Sequence, residues 1–107
     1  MFYNNNTNDY SNLNVRNNIN TFYEHINGGG AHFTIFSGDS NGFTGGGWGD
    51  NISSVIVAPH TLVILFEDRN FQGDLYKLIN NGDHPHLFNL PTNWNDRTSS
   101  IVTSRLK

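Results

Sequence analysis

Two short stretches of this chain hold the residues best suited to chemistry: Gly49-Asp50-Asn51-Ile52-Ser53-Ser54 and Asn95-Asp96-Arg97-Thr98-Ser99-Ser100. Each sets a carboxylate three residues ahead of a pair of hydroxyls. These are hard oxygen donors, and calcium takes roughly six to eight of them at about 2.3–2.6 Å. One carboxylate, one hydroxyl and some turn carbonyls are too few to enclose an ion, so neither stretch makes a site alone. The same residue types also fix turns by bonding their own backbone, which gives both stretches a purely structural reading as well.

Other constellations are weaker. Asp83-His84-Pro85-His86 offers two imidazoles to zinc or copper, but Pro85 restricts the geometry and no third ligand is apparent. It reads better as a polar loop. His25, His32 and His60 are scattered. Glu67 and Asp68 are neighbours on an expected strand and so point to opposite faces. Gly28-Gly29-Gly30 and Gly45-Gly46-Gly47 resemble phosphate loops in composition only, without the Gly-Lys-Ser/Thr ending or a following helix. No Ser-His-Asp pattern has supporting context, and the expectation is a protein that is not an enzyme.

The rest of the composition narrows the class. The chain has 107 residues, enough for one self-supporting domain. It has no cysteine, which excludes disulfides and thiolate metal sites. A net charge of -3 with no basic patch argues against nucleic acid and anionic membrane as partners. No apolar run approaches the ~18 residues of a membrane span. Met1-Phe2-Tyr3-Asn4-Asn5-Asn6 lacks the basic and apolar regions of a signal peptide. That leaves both a cytoplasmic and a secreted location open. A monomer is expected.

Glycine and asparagine clusters separate short apolar runs, and no stretch sustains apolar spacing at i, i+3, i+4 and i+7, so the expected fold class is all-β. Residues 1–19 include eight Asn and read as a disordered or loosely docked arm, or else as an extra edge strand around Leu13-Asn14-Val15. Strand signals begin near Asn20. Runs at Thr21–Glu24, His32–Phe36 and Ile52–Val57 are followed by a second set at Thr61–Phe66, Asp74–Ile79 and Ser100–Thr103. Ser37–Gly42 and Gly45-Gly46-Gly47 read as one long irregular loop.

The second set repeats the first. Glu24 falls on Glu67, Asn27 on Asn70, Gly30 on Gly73 and Phe33 on Tyr76. Further on, Trp48 falls on Trp94, Asp50 on Asp96, Ser53 on Ser99 and Ser54 on Ser100. The two Trp of the chain both precede the matched element. Two homologous halves, about 20–58 and 61–104, suit a pair of Greek keys packed face to face. The expected core is Phe22, Phe33, Ile35, Val55, Val57, Val63, Leu65, Leu75, Ile79 and Ile101.

These residues resemble the βγ-crystallin family over about 85 residues. The second half carries the aromatic corner, Phe66-Glu67-Asp68-Arg69-Asn70-Phe71-Gln72-Gly73, and the element at 94–100. The first half carries Tyr23-Glu24-His25-Ile26-Asn27-Gly28-Gly29-Gly30 and the element at 48–54. Two positions depart from the family pattern: Gly49 replaces an Asn/Asp, and Gly28 replaces the corner aromatic, which should loosen the first hairpin.

The resemblance implies a sandwich of two antiparallel sheets over 20–107. It also implies two calcium ions shared between the halves, and a fold that the ions stabilise. Ser53 and the carbonyls of Glu24 and Asn51 would hold one ion, with Asp96 crossing from the other half. Ser99 and the carbonyls of Glu67 and Arg97 would hold the second, with Asp50 crossing back and the Arg97 side chain in solvent. Weak affinities are expected, on the order of micromolar to submillimolar, with the two sites unequal. The competing reading is a non-enzymatic interaction protein on the same scaffold: a protease inhibitor, a toxin, or a structural coat or adhesion component.

Overall fold

The structure, a computed structural model, describes residues 18–42 and 51–106. Residues 1–17 of the arm expected at 1–19, the run Gly45-Gly46-Gly47, and Trp48, Gly49 and Asp50 lie outside the described residues, whereas Ile19 already stands in a strand. Eight strands follow in order: β1 (Ile19–His25), β2 (Gly29–Phe36), β3 (Ser40–Asn41), β4 (Ser54–Val57), β5 (Thr61–Asp68), β6 (Gln72–Asn80), β7 (His86–Asn89) and β8 (Ser100–Arg105). They form two antiparallel four-stranded sheets, ordered β2-β1-β4-β7 and β3-β8-β5-β6. Each half therefore lends its third strand to the other's sheet: β3 pairs with β8, and β7 with β4. This is the duplicated Greek key, and the exchange explains why neither half covers its own apolar face. Both exchanged strands fall in stretches that read as loops, because two and four residues are too short for a periodic signal.

The core forms where alternate residues of the two sheets meet. Phe22, Ile35, Val55, Val57, Val63, Leu65, Leu78 and Ile101 are buried together with Ile52, Leu90 and Trp94. Phe22 stacks on Phe33 with centroids 5.1 Å apart, and Tyr76 tilts against Trp94 at 5.8 Å. Strand β6 alternates with period two, but its inward face is not the one that carries Leu75 and Ile79. Leu75 and Ile79, expected inside, are 47% and 50% exposed, whereas Leu78 is 3% exposed. The register decides this: Leu78 stands opposite the buried Val63, and Leu75 opposite the outward Phe66.

At one end of the sandwich a polar network ties the strands together. Buried Asn20 donates to the carbonyl of Ile35 (3.0 Å) and to Ser37 Oγ (3.2 Å), and accepts from the Ala58 N–H (2.8 Å). At the hairpin end, both halves turn in the same way. Asn27 and Gly28 have φ of 59° and 71°, and their counterparts Asn70 and Phe71 have 57° and 63°. Two successive left-handed residues suit asparagine and glycine, while Phe71 adopts this region at a steric cost. Its ring packs edge-on to Phe66 at 5.9 Å. In the first half the Tyr23 ring instead lies 3.7 Å from where a Cβ on Gly28 would sit.

A serine hydroxyl closes each corner. Ser54 Oγ donates to the His25 carbonyl (2.5 Å) and accepts from the Gly28 N–H (3.1 Å). Ser100 Oγ donates to the Asp68 carbonyl (2.6 Å) and accepts from the Phe71 N–H (3.0 Å). The last serine of each acidic-Ser-Ser stretch thus has a structural task.

Two predictions test this architecture by urea unfolding. Leu78→Ala is expected to cost about 2–5 kcal/mol as a core truncation, and Leu75→Ala no more than about 0.5 kcal/mol as a surface change. Ser54→Ala and Ser100→Ala should each cost about 1–3 kcal/mol, since each strands a carbonyl and an N–H at a partly buried corner.

Candidate metal centre

Ser53 and Ser99 stand one residue before the strand starts that carry Ser54 and Ser100. Backbone bonds repeat between the halves. The Ser53 N–H donates to the Tyr23 carbonyl (2.9 Å) and the Ser99 N–H to the Phe66 carbonyl (2.8 Å). These bonds hold Ser53 beside the segment of Glu24, and Ser99 beside that of Glu67.

The second stretch reaches into the first half through a tight turn. The N–H groups of Trp94 and Asn95 both donate to the Pro91 carbonyl, at 2.8 and 2.9 Å. Asp96 is left-handed, φ 62°, and its N–H donates to the Ile52 carbonyl at 3.1 Å. This docks the turn against the start of β4. Ser53 Oγ then lies against Asn95 Oδ1 and 3.3 Å from Asp96 Oδ1. Glu24, His25, Ile26, Asn51, Ser53, Asn95 and Asp96 line one cleft of about 430 Å³. Four of the residues expected at the first ion, Glu24, Asn51, Ser53 and Asp96, therefore meet in one place. Asn95 was read only as part of the matched stretch, without a role of its own. Its position before Asp96, where the family pattern has Asn/Asp, was the available signal.

The chemistry of the cleft is that of crowded oxygen. One hydroxyl, with one proton to donate, has an amide oxygen and a carboxylate oxygen within reach. A hard cation resolves such a set by accepting lone pairs from all of them. The donor set therefore fits calcium at this cleft.

The second half is built differently. The Arg97 side chain does not run into solvent as expected. Its guanidinium donates to Glu67 Oε2 (2.9 Å), Asp74 Oδ2 (3.1 Å) and the Asn93 carbonyl (2.9 Å). It also lies over the Trp94 ring, 4.6 Å from the centroid. The hydrogen bond to Glu67, helped by Asp74, raises the Arg97 pKa further, so its charge is permanent. The cause of the departure is local: two carboxylates and an aromatic face offer the guanidinium better partners than water. Glu67 and Arg97 are thus side-chain partners, Ser99 stands near them through its bond to Phe66, and Asp50 lies outside the described residues.

The histidine loop gathers no metal ligands. His60 Nε2 lies 2.8 Å from Asp83 Oδ1, and His86 rests edge-on to Phe88 at 4.6 Å. Among the described residues no group of three or more His, Cys, Asp and Glu side chains is placed to hold a metal.

Comparison with known proteins supplies the family. Residues 22–78 match the family model for Peptidase inhibitor family I36. Curated proteins gave no match by sequence. Among solved structures, a βγ-crystallin domain from Flavobacterium johnsoniae is 31% identical, with a TM-score of 0.66 over 80% of this chain and 93% of that one. A βγ-crystallin domain from Clostridium beijerinckii is 25% identical, with a TM-score of 0.64 over 79% and 95%. A βγ-crystallin from Ciona intestinalis is 27% identical, with a TM-score of 0.61 over 78% and 96%. With its two exchanged Greek keys, its serine-closed corners and these relatives, the chain belongs to the βγ-crystallin superfamily and, within it, to peptidase inhibitor family I36.

Proposed function

We propose that this domain binds calcium, and that the ion stabilises its fold. One observation carries the reading: the oxygens of Ser53, Asn95 and Asp96, from stretches more than 40 residues apart, converge in the cleft lined by Glu24 and Asn51. The first ion takes Ser53 Oγ, the carbonyls of Glu24 and Asn51 and the Asp96 carboxylate, with water completing the shell. A second, weaker ion takes Ser99 and the carbonyls of Glu67 and Arg97, with Asp50 crossing from the first half. Few carboxylates per ion mean partial charge neutralisation, and so affinities on the order of micromolar to submillimolar.

A second reading has its own support. The match to a family of peptidase inhibitors favours a non-enzymatic protein that binds proteases. The two readings are compatible, since an ion that stiffens the hairpin ends would pre-organise a docking surface.

Thermal melts in chelator and in millimolar calcium test the first reading. Calcium at about 100 times Kd should add about 2.7 kcal/mol of stability, and coincident melts would refute it. Asp96→Asn keeps a side chain that tolerates φ 62° but removes the charge. It should weaken the first site at least about tenfold in a calorimetric titration. For the second reading, inhibition assays against serine, cysteine and metalloproteases should find a target class. No inhibition in any of the three, with calcium present, rejects it.

A further inference from the structure

We propose that Arg97 is the built-in counter-cation of the second half: its guanidinium stands in for an ion there, so that the domain takes calcium at the Ser53 cleft first. This rests on the calcium reading of that cleft and concerns what the other half does instead.

The internal repeat makes the comparison direct. Ser53 corresponds to Ser99, Glu24 to Glu67 and Asn51 to Arg97. In the first half, Glu24 faces the open cleft, with His25 Nε2 3.5 Å away. In the second, the residue replacing Asn51 brings a permanent positive charge to 2.9 Å from Glu67. The same guanidinium also bonds Asp74 at 3.1 Å, so one fixed positive charge is shared between two carboxylates. A dication approaching the carbonyls of Glu67 and Arg97 therefore meets a Glu67 carboxylate already bound to a fixed cation. Like charges repel, the more so where solvent is partly excluded.

The position of the guanidinium is held, not incidental. Its partners come from β5, from β6 and from the 93–94 turn, and the Trp94 ring supports its face. Trp94 is itself part of the core against Tyr76, so the charge rests on a fixed platform. A planar fork bound to two carboxylates and a carbonyl is geometry that lysine does not reproduce. The second half thus keeps its cation whether or not calcium is present.

The test compares the wild type with Arg97→Asn, which installs the residue found at the equivalent Asn51, and with Arg97→Lys, which keeps the charge. Calorimetric calcium titrations are paired with thermal melts in chelator. The wild type should bind one ion in its tighter phase. Arg97→Asn should gain a second site at least about tenfold tighter than any weak phase of the wild type, and should melt lower in chelator because its resident cation is gone. Arg97→Lys should keep the wild-type stoichiometry. If the wild type binds no calcium but Arg97→Asn binds one ion, the function proposed above fails and with it the order of filling, while the role of Arg97 as the cation of the second half stands. If the wild type binds calcium and Arg97→Asn changes neither stoichiometry nor the melt in chelator, this inference is overturned and the function stands. Two wild-type sites of equal affinity would also overturn it.

Discussion

The corner closed by a serine hydroxyl is the constraint on which the rest of the structure depends. The left-handed hairpin turn points a carbonyl and an N–H inward, and Ser54 or Ser100 satisfies both with one oxygen. A hydroxyl can donate and accept at once, which no apolar residue of that size can do. The bond ties the first hairpin of each half to its last strand, across 26–32 residues of chain. That closure places the preceding serine, Ser53 or Ser99, beside the carbonyl-rich segment at Glu24 or Glu67. Structural and candidate binding roles therefore sit on adjacent residues at one strand start.

The two halves share this frame but differ in electrostatics. The first half concentrates Glu24 and Asp96 around an open cleft. The second folds Arg97 onto Glu67, Asp74 and Trp94. Duplication supplies the backbone geometry twice, and the side chains that differ between the halves, Asn51 against Arg97 and Ala31 against Asp74, set the local charge. The departure from the family pattern at Gly49 pointed to the first stretch as the weaker one. The described contacts place a guanidinium against Glu67 and Asp74 in the second.

Much of the fold was legible because it is written in spacing. The matched pairs Asn27 and Asn70, Gly30 and Gly73, and Ser54 and Ser100 each serve a backbone need that few residues meet, so their recurrence revealed the duplication. The alternation of β6 was equally clear, but alternation names two faces without saying which is inside. Leu75 and Ile79 are as apolar as Leu78, and only pairing with β5 separates them. Strands β3 and β7 were illegible because their pairing partners lie in the other half. Leu90 and Trp94 enter the core from irregular segments, where no periodicity marks them, and Ile52, read as a strand start, enters it from just before β4.

By itself the sequence determined the all-β class, the two halves, the turn positions and the oxygen-bearing residues available to a cation. These follow from local needs: left-handed turns, alternation and donor type. Only the tertiary structure decided that Asp96 meets Ser53 across 43 residues, that Asn95 joins them, and that Arg97 turns back onto Glu67. The physical reason is that these contacts join segments whose proximity depends on the packing of two sheets. A side chain's direction is then chosen among partners that the fold, not the neighbouring sequence, supplies.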